Sequence, residues 1–141
     1  KIRAVFHAEV REHIRNKRLL ICPNGRRRDF FGRLDDKLYK EGFAYIPQAT
    51  VSDLTKFTMH RIVDKLPGYM QKYFFLTEQH DGILAEVHKD YYVPYSLIFK
   101  QMYERPINFI NCSLSRDFEL KIPVEVSLST TNWMELKEIQ I

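Results

Sequence analysis

Three consecutive residues, His80-Asp81-Gly82, lie between the apolar runs 73 to 77 and 83 to 87, with Glu78, Glu86 and Asp90 close by in the chain. A carboxylate fixed at a hairpin tip can hold a hard divalent cation against a phosphate, and two-metal phosphoryl transfer needs at least two such carboxylates converging. Glu86 lies four residues beyond Gly82 along a strand, too far for easy convergence, so Asp81 stands as the candidate ligand without a defined partner. A plainer reading needs no chemistry at all: Asp-Gly flanked by strand-like sequence is a strong hairpin signal in its own right.

Two other stretches carry groups suited to polar recognition. Arg26, Arg27 and Arg28 follow Gly25 in succession; a guanidinium stays charged and grips phosphate by a planar fork, which suits a backbone-binding turn. If the turn returns as a strand, the three point to alternating faces, so at most two meet the same surface. In YIPQATVSDLTKFTM (45 to 59) a helix is expected to start at Pro47, putting Gln48 in the first turn among free backbone N–H groups, where its amide suits contact with bases or sugar. The remaining histidines considered, His7, His13 and His60, read as surface or packing residues. No GxSxG, P-loop, HExxH or GxGxxG pattern is present.

The bulk properties narrow the class. At 141 residues, 45% hydrophobic and 28% charged, the chain has the makings of one globular domain with a real core. No run reaches the roughly 18 apolar residues of a membrane span, and the N-terminus lacks a signal peptide's apolar segment, so a cytosolic protein is expected. Lys1 in place of Met suggests a trimmed, processed or partial chain. Cys22 and Cys112 are distant in sequence and lack metal-ligand spacing, so both read as ordinary thiols. The net charge of +4 hides an asymmetry: residues 1 to 33 hold ten Lys/Arg against three acidic residues, and the rest of the chain holds twelve against fifteen. Basic charge concentrated at one end is the footprint of a polyanionic partner.

The elements that must position these groups follow from periodicity. Ile2, Phe6, Val10 and Ile14, with Val5 beside them, predict an amphipathic helix over 2 to 18. Residues 19 to 22 and 26 to 31 predict a short hairpin around Pro23-Asn24-Gly25. Residues 34 to 45 are weakly helical at best, and RLDDKLYKEG (33 to 42), despite its Arg33/Lys37 pair, reads as a polar surface turn. Val51, Leu54, Thr58, Ile62 and Leu66 predict a helix from Pro47 to the Pro67-Gly68 stop. Residues 73 to 77 and 83 to 87 predict a second hairpin, a third helix runs from Pro94 to about 104, and 107 to 119 is a loop or ragged strand. Residues 120 to 129 alternate like a strand, and 132 to 139 predict a short helix capped by Asn132. Without a βαβ rhythm the class is α+β, an antiparallel sheet with helices on one face.

Taken as an ordered set, GRRRDFFGR (25 to 33), PQATVSDL (47 to 54), QHDGILAEV (79 to 87) and IPVEVSLSTTNWMEL (122 to 136) resembles the C-terminal part of the palm of family A DNA polymerases, the DNA polymerase I type, most nearly their bacteriophage-related members. The resemblance implies that residues 1 to 141 form a single domain, the C-terminal portion of such a palm, with the hairpin of motif C at 73 to 87. Asp81 is then a catalytic Mg²⁺ ligand and His80 lies beside the primer terminus. Gln48, His80, Arg26, Arg27 and Arg28 contact the DNA primer-template, and Trp133 is a packing residue. The implied activity is template-directed nucleotidyl transfer in DNA replication, in the cytoplasm of a bacterial or phage-infected cell. A dNTP and the rest of the polymerase are the further partners, and no membrane is involved.

The chain departs from the family pattern in two ways. Gly82 stands where the family usually has Glu, which removes an auxiliary carboxylate. The second essential aspartate, in motif A, and the nucleotide-binding fingers helix precede the GRRR turn in the family and are not found among these residues, so the chain alone is expected to be inert. The alternatives are a non-catalytic DNA-binding module, such as a prophage remnant of a polymerase, and, more remotely, the palm of a phage-type RNA polymerase.

Overall fold

The computed structural model describes residues 2–79, 81–108, 112–114 and 119–140. Its class is α+β: three α-helices and short antiparallel strands paired two by two. The chain divides into two compact units, Lys1–Asp53 with Ile107–Leu120, and Leu54–Pro106 with Lys121–Ile141.

In the first unit, helix α1 (Ile2–Lys17) presents Val10 and Ile14 to the core, fully buried as their four-residue spacing requires, while Val5 faces solvent. The helix ends at Arg18, which takes a left-handed φ of 56° and returns its N–H to Ile14 O at 3.1 Å, the simple αL helix stop usually made by glycine. Strands β1 (Leu19–Ile21) and β2 (Arg27–Asp29) then pair, with Leu20 opposite Arg28. Between them Cys22 N bonds to Arg26 O and Gly25 N to Cys22 O, each at 2.9 Å, and Gly25 has φ 83°. This is the three-residue hairpin loop with glycine at its αL position that Pro-Asn-Gly encodes. The core gathers Val10, Ile14, Leu20, Cys22, Phe30, Leu38, Tyr39, Tyr45, Ile46, Ala49 and Leu114, and Cys112 packs against it. Ser113 joins this core to β1, its N–H donating to Ile21 O at 2.9 Å and its Oγ accepting from Ile21 N at 2.7 Å.

The largest departure from expectation is α2, which runs unbroken over Asp36–Lys65 with Pro47 inside it. Its true start is capped by Asp35, whose Oδ1 accepts the Leu38 N–H at 3.0 Å while its carbonyl takes the first helical bond from Tyr39 N. RLDDKLYKEG is therefore no surface turn: Leu38 and Tyr39 are core residues. Burial of these side chains and of Tyr45 and Ile46 before Pro47, and of Ala49 after it, offsets the lost hydrogen bond and the ring clash that proline normally imposes inside a helix. Gly42 is needed because α1 comes close: a Cβ there would overlap Ile14 Cδ1 and stand 3.1 Å from Val10 Cγ1.

In the second unit, α2 contributes Leu54, Thr58 and Ile62 as buried positions and ends before Pro67-Gly68 as its sequence indicates. Strands β3 (Tyr73–Gln79) and β4 (Gly82–Val87) form the longer hairpin, with Tyr73 opposite Val87 and a bulge at Leu76. Helix α3 (Tyr92–Tyr103) packs Tyr95, Ile98 and Phe99 onto the cluster of Ile62 and Tyr73. The short pair β5 (Ile107–Asn108) with β6 (Glu119–Leu120) belongs to the first unit, whereas β7 (Ser127–Leu128) with β8 (Lys137–Glu138) completes the strands of this one. Among the described residues the strands thus form four separate pairs, where one sheet was expected. From 122 to 128 exposure alternates as the sequence does, with Ile122, Val124, Val126 and Leu128 turned inward, yet only the last two residues of the run are in β7. The C-terminal helix over 132 to 139 does not form: a single 3₁₀ turn, Trp133–Glu135, precedes β8. Asn132 makes no side-chain cap to the backbone; its amide donates to Glu135 Oε1 at 3.1 Å, and Thr131 Oγ1 donates to Glu135 Oε2 at 2.5 Å, which lowers the Glu135 pKa.

Gly42→Ala gains about 1 kcal/mol of helix propensity but overpacks the contact of α1 with α2, an effect of about 1–3 kcal/mol. Because Ile14 is fully buried and cannot swing into solvent, the expected outcome in thermal unfolding followed by circular dichroism is a lower Tm. A rise would show that Ile14 yields.

Candidate functional site

The arginine turn is built on one ridge of α2. Glu41, Tyr45, Ala49 and Asp53 recur every four residues and so line the same helix face. Arg26 Nη2 is paired with Asp53 Oδ1, and Arg28 Nη2 with Glu41 Oε2 at 2.8 Å. Tyr45 lies between them, its hydroxyl donating to Arg26 O at 3.0 Å and its ring 5.6 Å from the Arg28 guanidinium. Arg28 also stands 5.1 Å from the Phe30 ring. Arg27 has the opposite orientation and is paired with Asp29 at 2.6 Å, on the solvent side. The alternation expected of a strand is therefore realised, with Arg26 and Arg28 turned to the helix and Arg27 turned away. Each of the three has a carboxylate partner, which the sequence did not indicate because Glu41 and Asp53 lie 13 and 27 residues downstream.

Asp53 shapes this arrangement most. It is only 6% exposed, and a carboxylate at that depth is tolerated when a cation and hydrogen bonds replace its water. Nearby, burial pushes the Cys22 thiol and the Tyr45 phenol above their ordinary pKa values, so both stay protonated at neutral pH. The Cys22 thiol donates to Ile46 O at 3.9 Å, a carbonyl that also accepts the Thr50 hydroxyl at 2.6 Å. These are the marks of a packed thiol.

Gln48 is exposed but does not sit at a helix start. It is the thirteenth residue of α2, so no free first-turn N–H groups surround it. Whatever Gln48 does is done by its side chain alone, beside the exposed Pro47.

In the second unit the hairpin that carries Asp81 is anchored at its far end. Tyr73, almost fully buried, donates its hydroxyl to Ile62 O at 3.1 Å and Leu66 O at 3.0 Å, satisfying carbonyls at the end of α2. Its ring meets Tyr95 and Phe99 edge-on, each with centroids 5.4 Å away. Tyr95 in turn bonds Pro67 O at 3.1 Å. Burial falls away along β3 toward the tip, where Gln79 pairs with Gly82. The two intervening residues are 80 and 81, so the loop is not centred on Asp-Gly as the motif suggests: Gly82 is the first residue of β4 and is not in the left-handed region. A Cβ on Gly82 would meet only Gln79 O, at an ordinary 3.7 Å. Asp81 is exposed at the tip, and no salt bridge to another described residue engages it. His80, expected beside a primer terminus, lies outside the described residues.

The candidate partners of Asp81 are placed variously. Glu78, across from Ile83, is nearest the tip and faces Lys56 Nζ at 4.0 Å. Glu86 is opposite Phe74, about 13 Å along the strand from the tip at the usual rise. Asp90 lies beyond the anchored end and pairs with His88 at 3.6 Å. Among the described residues no group of three His, Cys, Asp or Glu side chains could hold a metal ion. Trp133, expected to pack, is 54% exposed.

Because Arg26 balances a buried charge and Arg27 does not, their substitution has different outcomes. Arg26→Ala strands Asp53 and should destabilise the chain by about 1–3 kcal/mol, less than for a fully buried pair because the arginine is partly exposed; Asp53→Asn in the same chain should recover part of the loss. Arg27→Ala should leave Tm unchanged. Equal effects of the two, measured by urea unfolding, would mean that the Asp53 pair contributes nothing. Compared with protein-family models and with curated proteins, the chain matches none.

Proposed function

We propose that the chain is the C-terminal palm segment of a DNA-directed DNA polymerase of family A, in which Asp81 supplies one metal-binding carboxylate and the first unit supplies a basic surface for the primer-template. The observation that carries the reading is the hairpin of β3 and β4, rigid at its aromatic base and ending in an exposed acidic tip. Its support in the sequence is the order of the four motifs along the chain.

The described residues do not make a complete magnesium site. One carboxylate at the tip is a single ligand, and a two-metal centre needs a second that converges on it. Asp81, exposed at the tip of the hairpin, can enter a site that other parts of a polymerase complete. A Cβ at Gly82 would make only an ordinary contact with Gln79 O, so the glycine is not demanded by packing. In the basic turn, Arg27 is the arginine best placed for DNA, since its only described partner is the nearby and exposed Asp29 pair, which a phosphate can exchange for at low cost. Arg26 and Arg28 act through the turn's shape. Contacts of this kind position a duplex and carry no sequence information.

A DNA-binding module without catalysis is the second reading, favoured by the solitary carboxylate at the tip. One experiment separates the two. In the polymerase containing this chain, Asp81→Asn should abolish primer extension and leave duplex binding nearly intact. The chain by itself should bind primer-template in a salt-dependent way without extending it. Extension retained by the Asn variant would remove the metal role; no extension by the unaltered complete protein would favour the binding module.

A further inference from the structure

Immediately after β2 the chain presents two phenylalanines with opposite fates. Phe30 is 2% exposed and belongs to the core of the first unit, whereas Phe31 is 92% exposed. A large aromatic ring so fully in water has little to gain from its own fold, and the backbone around it is not loose. Phe30 N donates to Arg18 O at 2.8 Å, and Arg18 Nη1 donates to Gly32 O, also at 2.8 Å. Arg18 thus clamps the residues on both sides of Phe31 while itself held in the left-handed region, a conformation that costs about 1–2 kcal/mol for a residue with a Cβ. The ring is displayed from a fixed support.

Cations cluster around it in the chain. Residues 15 to 33 hold Arg15, Lys17, Arg18, Arg26, Arg27, Arg28 and Arg33 against Asp29 alone. Arg26, Arg27 and Arg28 are matched by carboxylates. Arg18, which touches the Phe31 loop, and Arg33, two residues along it, form no salt bridge with any described residue. Among the described residues, neither charge is matched by a carboxylate.

We infer that Phe31 is a stacking platform for an unpaired base of a single nucleic-acid strand, with Arg18 and Arg33 gripping the adjoining phosphates. The charge selects a polyanion, and the bare ring selects one with accessible π-faces. In a duplex the bases are already stacked and turned inward, so the occupant is an unpaired stretch. An apolar protein surface is a poorer match, because it would have to bury the flanking arginines without partners. The inference deepens the polymerase reading, in which unpaired template must be held next to the duplex, and rests on it for biological context.

The test uses the whole chain, a fluorescent oligo-dT strand, and no primer or magnesium. Phe31→Ala should weaken binding roughly five- to a hundredfold without changing the slope of log affinity against log salt, and Phe31→Trp should restore it. Arg33→Ala should instead reduce that slope by about 0.7, one phosphate's share for a single strand. Since Phe31 is exposed, circular dichroism of the Ala variant should match the parent. Unchanged oligo-dT affinity in a folded Phe31→Ala chain, failure of Trp to restore it, or no binding by the unaltered chain would each overturn the stacking role. Because this assay involves neither Asp81 nor a duplex, those results leave the polymerase reading to its own test, and loss of that reading leaves a single-strand effect of Phe31 standing.

Discussion

The buried carboxylate of Asp53 is the constraint on which the first unit turns. Placed on the inner ridge of α2, it must meet a cation, and Arg26 reaches it from the hairpin of β1 and β2. That pairing, with Tyr45 bonded to the Arg26 carbonyl and Glu41 holding Arg28, seats the basic turn on the helix. The consequence is a division of labour. Two of the three consecutive arginines are held against α2, and Arg27 faces outward. A count of basic residues overstates what a polyanion would meet.

Helix α2 is also where tertiary packing most clearly overrides local preference. Pro47 and Gly42 both lower helix propensity, yet the helix continues through them because Leu38, Tyr39, Tyr45, Ile46 and Ala49 all enter one core. Gly42 carries an additional purpose, since only a residue without a side chain admits Ile14 and Val10 so close to the helix. A proline that reads as a beginning is a tolerated interruption, and Gln48 beside it becomes a mid-helix side chain.

The hairpin of β3 and β4 shows the opposite economy. Its base is fixed by Tyr73, Tyr95 and Phe99, and its tip bears little but polar groups. A rigid lever with an acidic end is a fitting support for a group whose position matters to another molecule. The α+β class is shared by many folds, so the proposed function rests on the site and on the motif order rather than on architecture. No described helix is long and apolar enough to cross a membrane.

Much of the local structure was legible in the residues themselves. The stripe of Val10 and Ile14, the stripe of Leu54, Thr58 and Ile62, the glycine turn at 23 to 25, and the two hairpins all follow from periodicity and turn chemistry, which act over a few residues. The cap at Asp35 was not legible: the polar run around it reads as a surface turn, and the burial of Leu38 that makes it a helix start comes from the fold. What only the folded chain decided involves partners far apart in sequence: Asp53 for Arg26, Glu41 for Arg28, Arg18 for Gly32, and the core that carries α2 through Pro47. The register of the Asp81 loop and the loss of the C-terminal helix belong with these, since each depends on strand pairing. Propensity and pattern report what a residue prefers near its neighbours, and a buried charge or a close helix contact is settled by whichever distant group the fold brings to it.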